Sequence, residues 1–344
     1  MARADVTIRG AGIFGLSVAW ACLQRGARVQ VFDPRGPGAG SSGGIVGALA
    51  PHVPENWNDK KAFQLDSLLM AAEFWSGVER AGGVDPGYAR TGRLQPVPDA
   101  AALTLARTRA AGAETLWRGE AVWTLTRRPP EFALVSPTGW HIHDTLTARL
   151  HPRRACAALA AALRAGGATV GAEGEDAGAV VWATGWQGLR DLTQALGRTV
   201  GDGVKGQAVL LDHAAPEAPQ LFVDGLHIVP HGDGTVAVGS TSERTFEAAD
   251  TTDALCDALV ERARAAVPVL AGARELARWA GVRPRARSRA PLLGAWPGRP
   301  GHFVANGGFK IGFGMAPKVA QVMADLVLSG EDGGIPAGFG FEPL

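Results

Sequence analysis

Apolar positions along the first thirty-three residues change period twice. Val6-Thr7-Ile8 reads as a short strand. Ile13, Leu16, Ala19, Trp20 and Leu23 then recur at helical spacing, and Val29-Gln30-Val31-Phe32 returns to a strand that ends in Asp33. Further on, Phe63, Leu65, Leu68, Leu69, Ala72 and Trp75 form one apolar stripe, which predicts a helix over 62–80. From Gly92 to His143 the pattern breaks into short alternating segments, which predict antiparallel strands. A helix over 151–165 follows, then two apolar runs, 168–170 and 179–183, that predict buried parallel strands. Strand patterns return at 206–211, 225–230 and 235–239, the last two joined by the turn pair Asp233-Gly234. Helices over 251–266 and up to Leu328 complete the chain, with no internal repeat.

The fold class this implies is α/β. A doubly wound Rossmann-like sheet domain would be assembled from 1–51, 150–200 and 300–344. A mostly antiparallel sheet domain would be inserted at 52–149 and 201–299.

The first βαβ unit carries chemistry. Between strand and helix lies Gly10-Ala11-Gly12-Ile13-Phe14-Gly15. Gly10 permits the tight turn, Gly12 lets a pyrophosphate approach the backbone, and Gly15 lets the helix close on the strand. The helix N-terminus offers free N–H groups to phosphate. Asp33 stands where an acid bonds ribose hydroxyls and repels a 2′-phosphate. An ADP-containing cofactor is therefore expected. The next loop, Pro34-Arg35 through Ser41-Ser42 to Gly47, is so rich in glycine and serine that its backbone is expected to lie against a ligand. Thr184-Gly185, ending the strand before it at Ala183, is expected to touch the cofactor through its backbone.

Composition narrows the partners. The 344 residues are 46% hydrophobic and 19% charged, with a formal net charge of +1. Nothing in that balance attracts nucleic acid or an anionic membrane in bulk. Cys22, Cys156 and Cys256 lie far apart, which argues against both a disulfide framework and a zinc site. His141 and His143 share a strand face but have no third ligand in sight, so no metal is expected. Ser41 and Ser42 lack a Gly-x-Ser-x-Gly setting and are read as phosphate contacts or loop caps. No apolar run is long enough to span a bilayer. With its first strand starting by residue 6, the chain leaves no room for a signal peptide, and the cytoplasm is the expected compartment.

In this order and spacing the segments resemble the FAD-dependent amino-acid and amine oxidases, the group of glycine oxidase, D-amino acid oxidase and monomeric sarcosine oxidase. Five stretches carry the resemblance: the opening fingerprint, Ser41 to Pro51, Val181 to Gly185, Gly281-Val282-Arg283-Pro284, and Gly308-Phe309-Lys310-Ile311-Gly312. The resemblance implies FAD, bound non-covalently because no cysteine follows Cys256. It places Gly47, Ala48 and Leu49 beside the flavin and includes Val170 among the cofactor contacts. It sets the backbone of Gly312-Phe313-Gly314-Met315 toward the flavin N1–C2=O edge.

Arg283 is implied to grip a substrate carboxylate, as a planar guanidinium does bidentately. A surface arginine, in company with Arg285, Arg287 and Arg289, is the rival reading. Lys310 is implied as the second cation, against a solvated loop lysine. His52 falls near a flavin-side histidine of the group, against an ordinary loop histidine, and Lys205 is a weaker candidate on a segment that returns toward the flavin.

The activity implied is oxidation of the C–N bond of a small amine or amino acid. Hydride passes to flavin N5, the imine hydrolyses to an oxo acid, and oxygen or another acceptor reoxidises the flavin. Alternatives are a tRNA wobble-uridine carboxymethylamine oxidase and a dehydrogenase using another acceptor; a nicotinamide-dependent enzyme is disfavoured by the second glycine loop. The chain departs from the group in having Tyr88 as its one tyrosine and a short connection between Val170 and Val180.

Overall fold

The computed structural model describes residues 3–127 and 129–341. Its first sheet has six strands, in the order Leu292–Ala295, His302–Asn306, Ala179–Trp182, Val6–Arg9, Val29–Phe32, Thr169–Gly171. All neighbours are parallel except the first pair. Val6, Ile8, Val31 and Val181 are fully buried, as central parallel strands under helices must be. The helix Ile13–Gln24 packs against Gly312–Ser329 and Pro152–Ala165, and Asp59–Gly82 lies across the latter two.

The second sheet has eight strands: Arg274–Ala286, Gly201–Asp212, Thr235–Gly239, Leu226–Pro230, Gln220–Val223, Arg93–Pro96, His141–Asp144, Trp123–Thr126. It is antiparallel except where Gln220–Val223 meets Arg93–Pro96. Period-two alternation divides its faces. Leu94, Val209, Leu221, Ile228, Val236 and Val238 pack with Leu259, Val260 and Ala263 of the helix Leu255–Ala266. The opposite face carries Arg93, Phe222, His227, Ala208, Trp279 and Arg283, all of which line a cleft toward the first sheet.

Four expectations are corrected. A helix, Ala100–Leu116, stands inside the stretch read as strands. Its apolar content is mostly alanine, and only Ala106 and Ala113 are buried, so it shows no strong stripe; Asp99 caps it by accepting from Ala102 N–H at 2.8 Å. The run 168–170 yields Thr169–Gly171, an edge strand whose Thr169 and Gly171 are exposed rather than buried. The helix expected from residue 251 starts at Leu255. Two segments assigned by pattern to the inserted domain join the first sheet instead: Asp59–Gly82 in its helical layer and Leu292–Ala295 as an edge strand. The expected first domain also takes in residues 1, 2 and 342–344, which lie outside the described residues.

Candidate active site

The cleft between the sheets has a volume of about 430 Å³. One end is built by the βαβ unit. Gly10 has φ +103°, and a Cβ there would lie 2.4 Å from the Ala183 carbonyl oxygen. A Cβ on Gly15 would fall 2.0 Å from the Gly10 carbonyl oxygen, so this glycine exists for helix–strand closure. Gly12 differs: a Cβ there would meet only Ser42 Oγ, at 3.2 Å, and otherwise points into open space. Gly12, Ile13 and Phe14 line the cleft, whereas Gly10 and Gly15 stand behind it.

Asp33 shapes the same end. Its carboxylate accepts from Ala11 N–H at 2.9 Å and from Arg35 N–H at 3.0 Å, one bond per oxygen. Each oxygen keeps a lone pair for a ribose hydroxyl. Ser42 accepts from Ile13 N–H at 3.0 Å, tying the second glycine loop to the first. Arg35, Ser41, Ser42, Gly47 and Ala48 line the cleft; Pro34 and Leu49 do not. Gly47 is a packing glycine as well, since its Cβ would fall 1.9 Å from the Leu150 carbonyl oxygen. Ala183, Thr184 and Gly185 reach the cleft from the strand end, while Val170 stays on the edge strand away from it. The residues therefore fit an extended adenosine-diphosphate cofactor: a bare backbone at Gly12, a helix N-terminus, and an acid for the ribose.

The other end holds cations. Phe309 N–H donates to the Pro284 carbonyl at 3.0 Å, and Arg285 bridges to Gly308, so two segments distant in sequence are joined. This brings Arg283 and Lys310 to one wall. Arg283 is 8% exposed, and its guanidinium donates to Ser240 Oγ and the Thr241 carbonyl. Burial pushes its pKa down to about 10, with Glu243 opposing, so the group stays charged at neutral pH. Lys310 is exposed on the open side of the cleft, and its pKa is lowered by partial desolvation and by Arg283. Gly308 to Phe313 line the cleft at the start of the helix Gly312–Ser329; Gly314 and Met315 are buried behind them.

His52 sits on the cleft wall. Gln64 Oε1 takes the His52 backbone N–H at 2.7 Å and also lies 2.5 Å from Nδ1. Because that oxygen only accepts, Nδ1 carries the proton and Nε2 is left as an acceptor. Desolvation lowers the pKa of His52, helped by Lys60 and Lys61 and opposed by the Gln64 bond, which keeps the ring neutral at neutral pH. Lys205 is buried against Glu243 at 3.8 Å and does not line the cleft.

Four cleft residues lie outside the set expected from the sequence. Trp186 follows Thr184-Gly185 directly, and that position was the available clue; it meets Phe246 edge-on at 6.2 Å. Asn306 donates to the Gly185 carbonyl at 2.9 Å and ties the two cofactor-side turns together. Arg93 and His227 come from strands far apart in the chain and meet only through sheet pairing.

If the two cations serve a carboxylate, its binding weakens as pH rises, because Lys310 loses its charge at a pH below the ordinary lysine value of 10.5. Titrating a simple carboxylate inhibitor against the bound-flavin spectrum checks this. Lys310→Arg should move the loss of affinity to higher pH, and an unchanged alkaline limb in that variant would exclude Lys310.

The profile of the DAO family, described as "FAD dependent oxidoreductase", matches residues 5–326. A glycine oxidase of Pseudomonas putida is 34% identical over 155 residues, a stretch covering 44% of this chain and 42% of that enzyme, less than half its length. A glycine oxidase of Geobacillus kaustophilus is 26% identical over 361 residues, covering 94% of this chain and 93% of the other. The crystal structure of glycine oxidase from the same organism superposes with a TM-score of 0.84 at 25% identity, covering 99% of this chain and 98% of that one.

Proposed function

We propose, for a chain that belongs to the DAO family of FAD dependent oxidoreductases, that it oxidises the carbon–nitrogen bond of a small amine or amino acid bearing a carboxylate. The observation that carries this reading is the placement of Arg283 and Lys310 across one cleft from the Gly12–Ser42 cradle. FAD, when bound, supplies the hydride acceptor and passes electrons on to oxygen or another acceptor.

The protein's own part is mostly placement. Gly12, Ile13, Ser42 and Asp33 would hold the pyrophosphate and ribose, and the N-terminus of Gly312–Ser329 would face the flavin ring with its positive dipole end. Arg283, fixed by Ser240 and Thr241, would take the substrate carboxylate bidentately, and Lys310 would add a point charge from the open side. Fixing the carboxylate fixes the direction of the α C–H bond, and such orientation is worth several kcal/mol of barrier. Neutral His52 Nε2 would take a proton from the substrate ammonium, leaving the unprotonated amine needed for hydride loss. The oxidised product would be an imine, which water converts to an oxo acid and a free amine or ammonia.

Anaerobic bleaching of the flavin absorbance over a panel of amines and amino acids tests the reading. Reduction by carboxylated amines, with their decarboxylated counterparts inert, is the expected result. A flavoprotein that no carboxylated amine bleaches would overturn it.

A further inference from the structure

Besides Arg35, Arg283 and Lys310, the cleft holds a further cation that neither the fingerprint nor the Arg283–Lys310 pair requires. Arg93 lines it, is 5% exposed, and spends only Nε on the protein, donating to Asp144 at 2.9 Å. Asp144 is fully buried, and its other oxygen is taken by Thr147 N–H at 2.8 Å. The two terminal nitrogens of Arg93 have no hydrogen-bond partner among the described residues. Its guanidinium lies 5.8 Å from the Phe222 ring, which also lines the cleft. Holding a buried arginine by one edge and leaving the fork free is costly unless an anion completes it.

Register shows where that anion lies. Gln220 pairs with Arg93, Phe222 with His227, His227 with Gly239, Gly239 with Ala208, and Ala208 with Trp279, two residues before Gly281 and four before Arg283. These side chains share the cleft face of the sheet. Between the two arginines that face carries the small residues Gly206, Ala208 and Gly239; the Arg283 guanidinium lies over Gly206, Val46 packs on Gly239, and Ala208 lines the cleft. Arg93 and Arg283 stand on strands five steps apart, about 24 Å of backbone at ~4.8 Å per step. Arg283 reaches inward over Gly206, Arg93 is held by Asp144 on its outer side and lies against Phe222 on its inner side, and His227 between them is held neutral by burial and by Arg93, Lys310 and Arg283, its pKa pushed down to about 3. Glu243 stands behind Arg283, and Asp250 is exposed on the rim, where solvent screens it.

We infer that the substrate carries two carboxylates. One is held by Arg283 and Lys310 beside the reacting carbon, and a distal one by Arg93, with a chain of several atoms between them. Arg93 is on this reading a specificity-determining residue, and the inference rests on the amine-oxidation function proposed above.

Matched pairs differing only in the distal charge test it in the holoenzyme: racemic glutamate against glutamine, racemic 2-aminoadipate against norleucine, and N-(2-carboxyethyl)glycine against N-propylglycine. A charged hydrogen-bonded contact of this kind corresponds to about 10- to 100-fold in kcat/KM. The charged member of at least one pair should lead by that factor, chiefly through KM, and Arg93→Gln should bring the ratio toward one. Because the ratio is taken within each protein, a general loss of folding or flavin cancels, and the native ratio stands even if the variant does not fold. Turnover of glycine or other monocarboxylates with no advantage for the charged members overturns the inference and leaves the proposed function intact. A holoenzyme that no amine on the panel reduces overturns both.

Discussion

Replacing Arg283 by alanine is expected to raise KM for carboxylated amines roughly 30- to 1,000-fold, the equivalent of about 2–4 kcal/mol for removing one partner of a desolvated charge pair. FAD should remain bound, since Arg283 belongs to the sheet opposite the βαβ cradle. Steady-state kinetics beside the flavin absorbance of the same sample measure both. Part of the loss would come from Ser240 Oγ and the Thr241 carbonyl, which lose their donor. A companion change separates position from charge. Gly206 faces the guanidinium, and a Cβ there would fall 1.8 Å from Arg283 Nη2, so Gly206→Ala should displace an intact arginine and raise KM in the same direction by a smaller factor. Unchanged kinetics in Arg283→Ala would remove that residue from the site and leave the carboxylate without its main anchor.

The second large effect separates the glycines of the fingerprint. Gly12→Ala should fold as the apoprotein, because its backbone is ordinary (φ −80°) and the added methyl meets only a rotatable hydroxyl at 3.2 Å. The methyl would occupy the surface offered to the pyrophosphate, so FAD affinity should fall by about two orders of magnitude or more, the equivalent of roughly 3 kcal/mol. Gly15→Ala should instead damage the apoprotein itself. Its methyl overlaps the Gly10 carbonyl oxygen at 2.0 Å, and overpacking of this kind costs about 1–3 kcal/mol or more. Thermal unfolding of both apoproteins, followed by FAD titration, distinguishes the two. Equal apoprotein stability in the variants, or full FAD affinity in Gly12→Ala, would contradict the division of roles.

Much of the molecule was legible in the chain because its determinants are local. The βαβ unit is contiguous: its period changes, three glycines and terminal acid all fall within residues 6–33, and the structure returns strand, helix and strand in that order. The turn Asp233-Gly234 likewise announced the hairpin it makes. The helix Ala100–Leu116 was not legible, because alanine fills its buried positions and alanine carries little amphipathic contrast.

The sequence by itself determined the βαβ unit and the family, since backbone turns, glycine clearances and helix starts are set by neighbours in the chain. It also pointed to Arg283 and Lys310 one at a time. Only the tertiary structure decided that they share a wall, through the contact of Phe309 with Pro284, and that Lys205 turns away to Glu243. Only the register of six successive strands carried Arg93, His227 and Arg283 to one face, from positions separated by 190 residues. Such a site has no local signature, because pairing across strands is fixed by which faces must be buried rather than by what lies next in the chain.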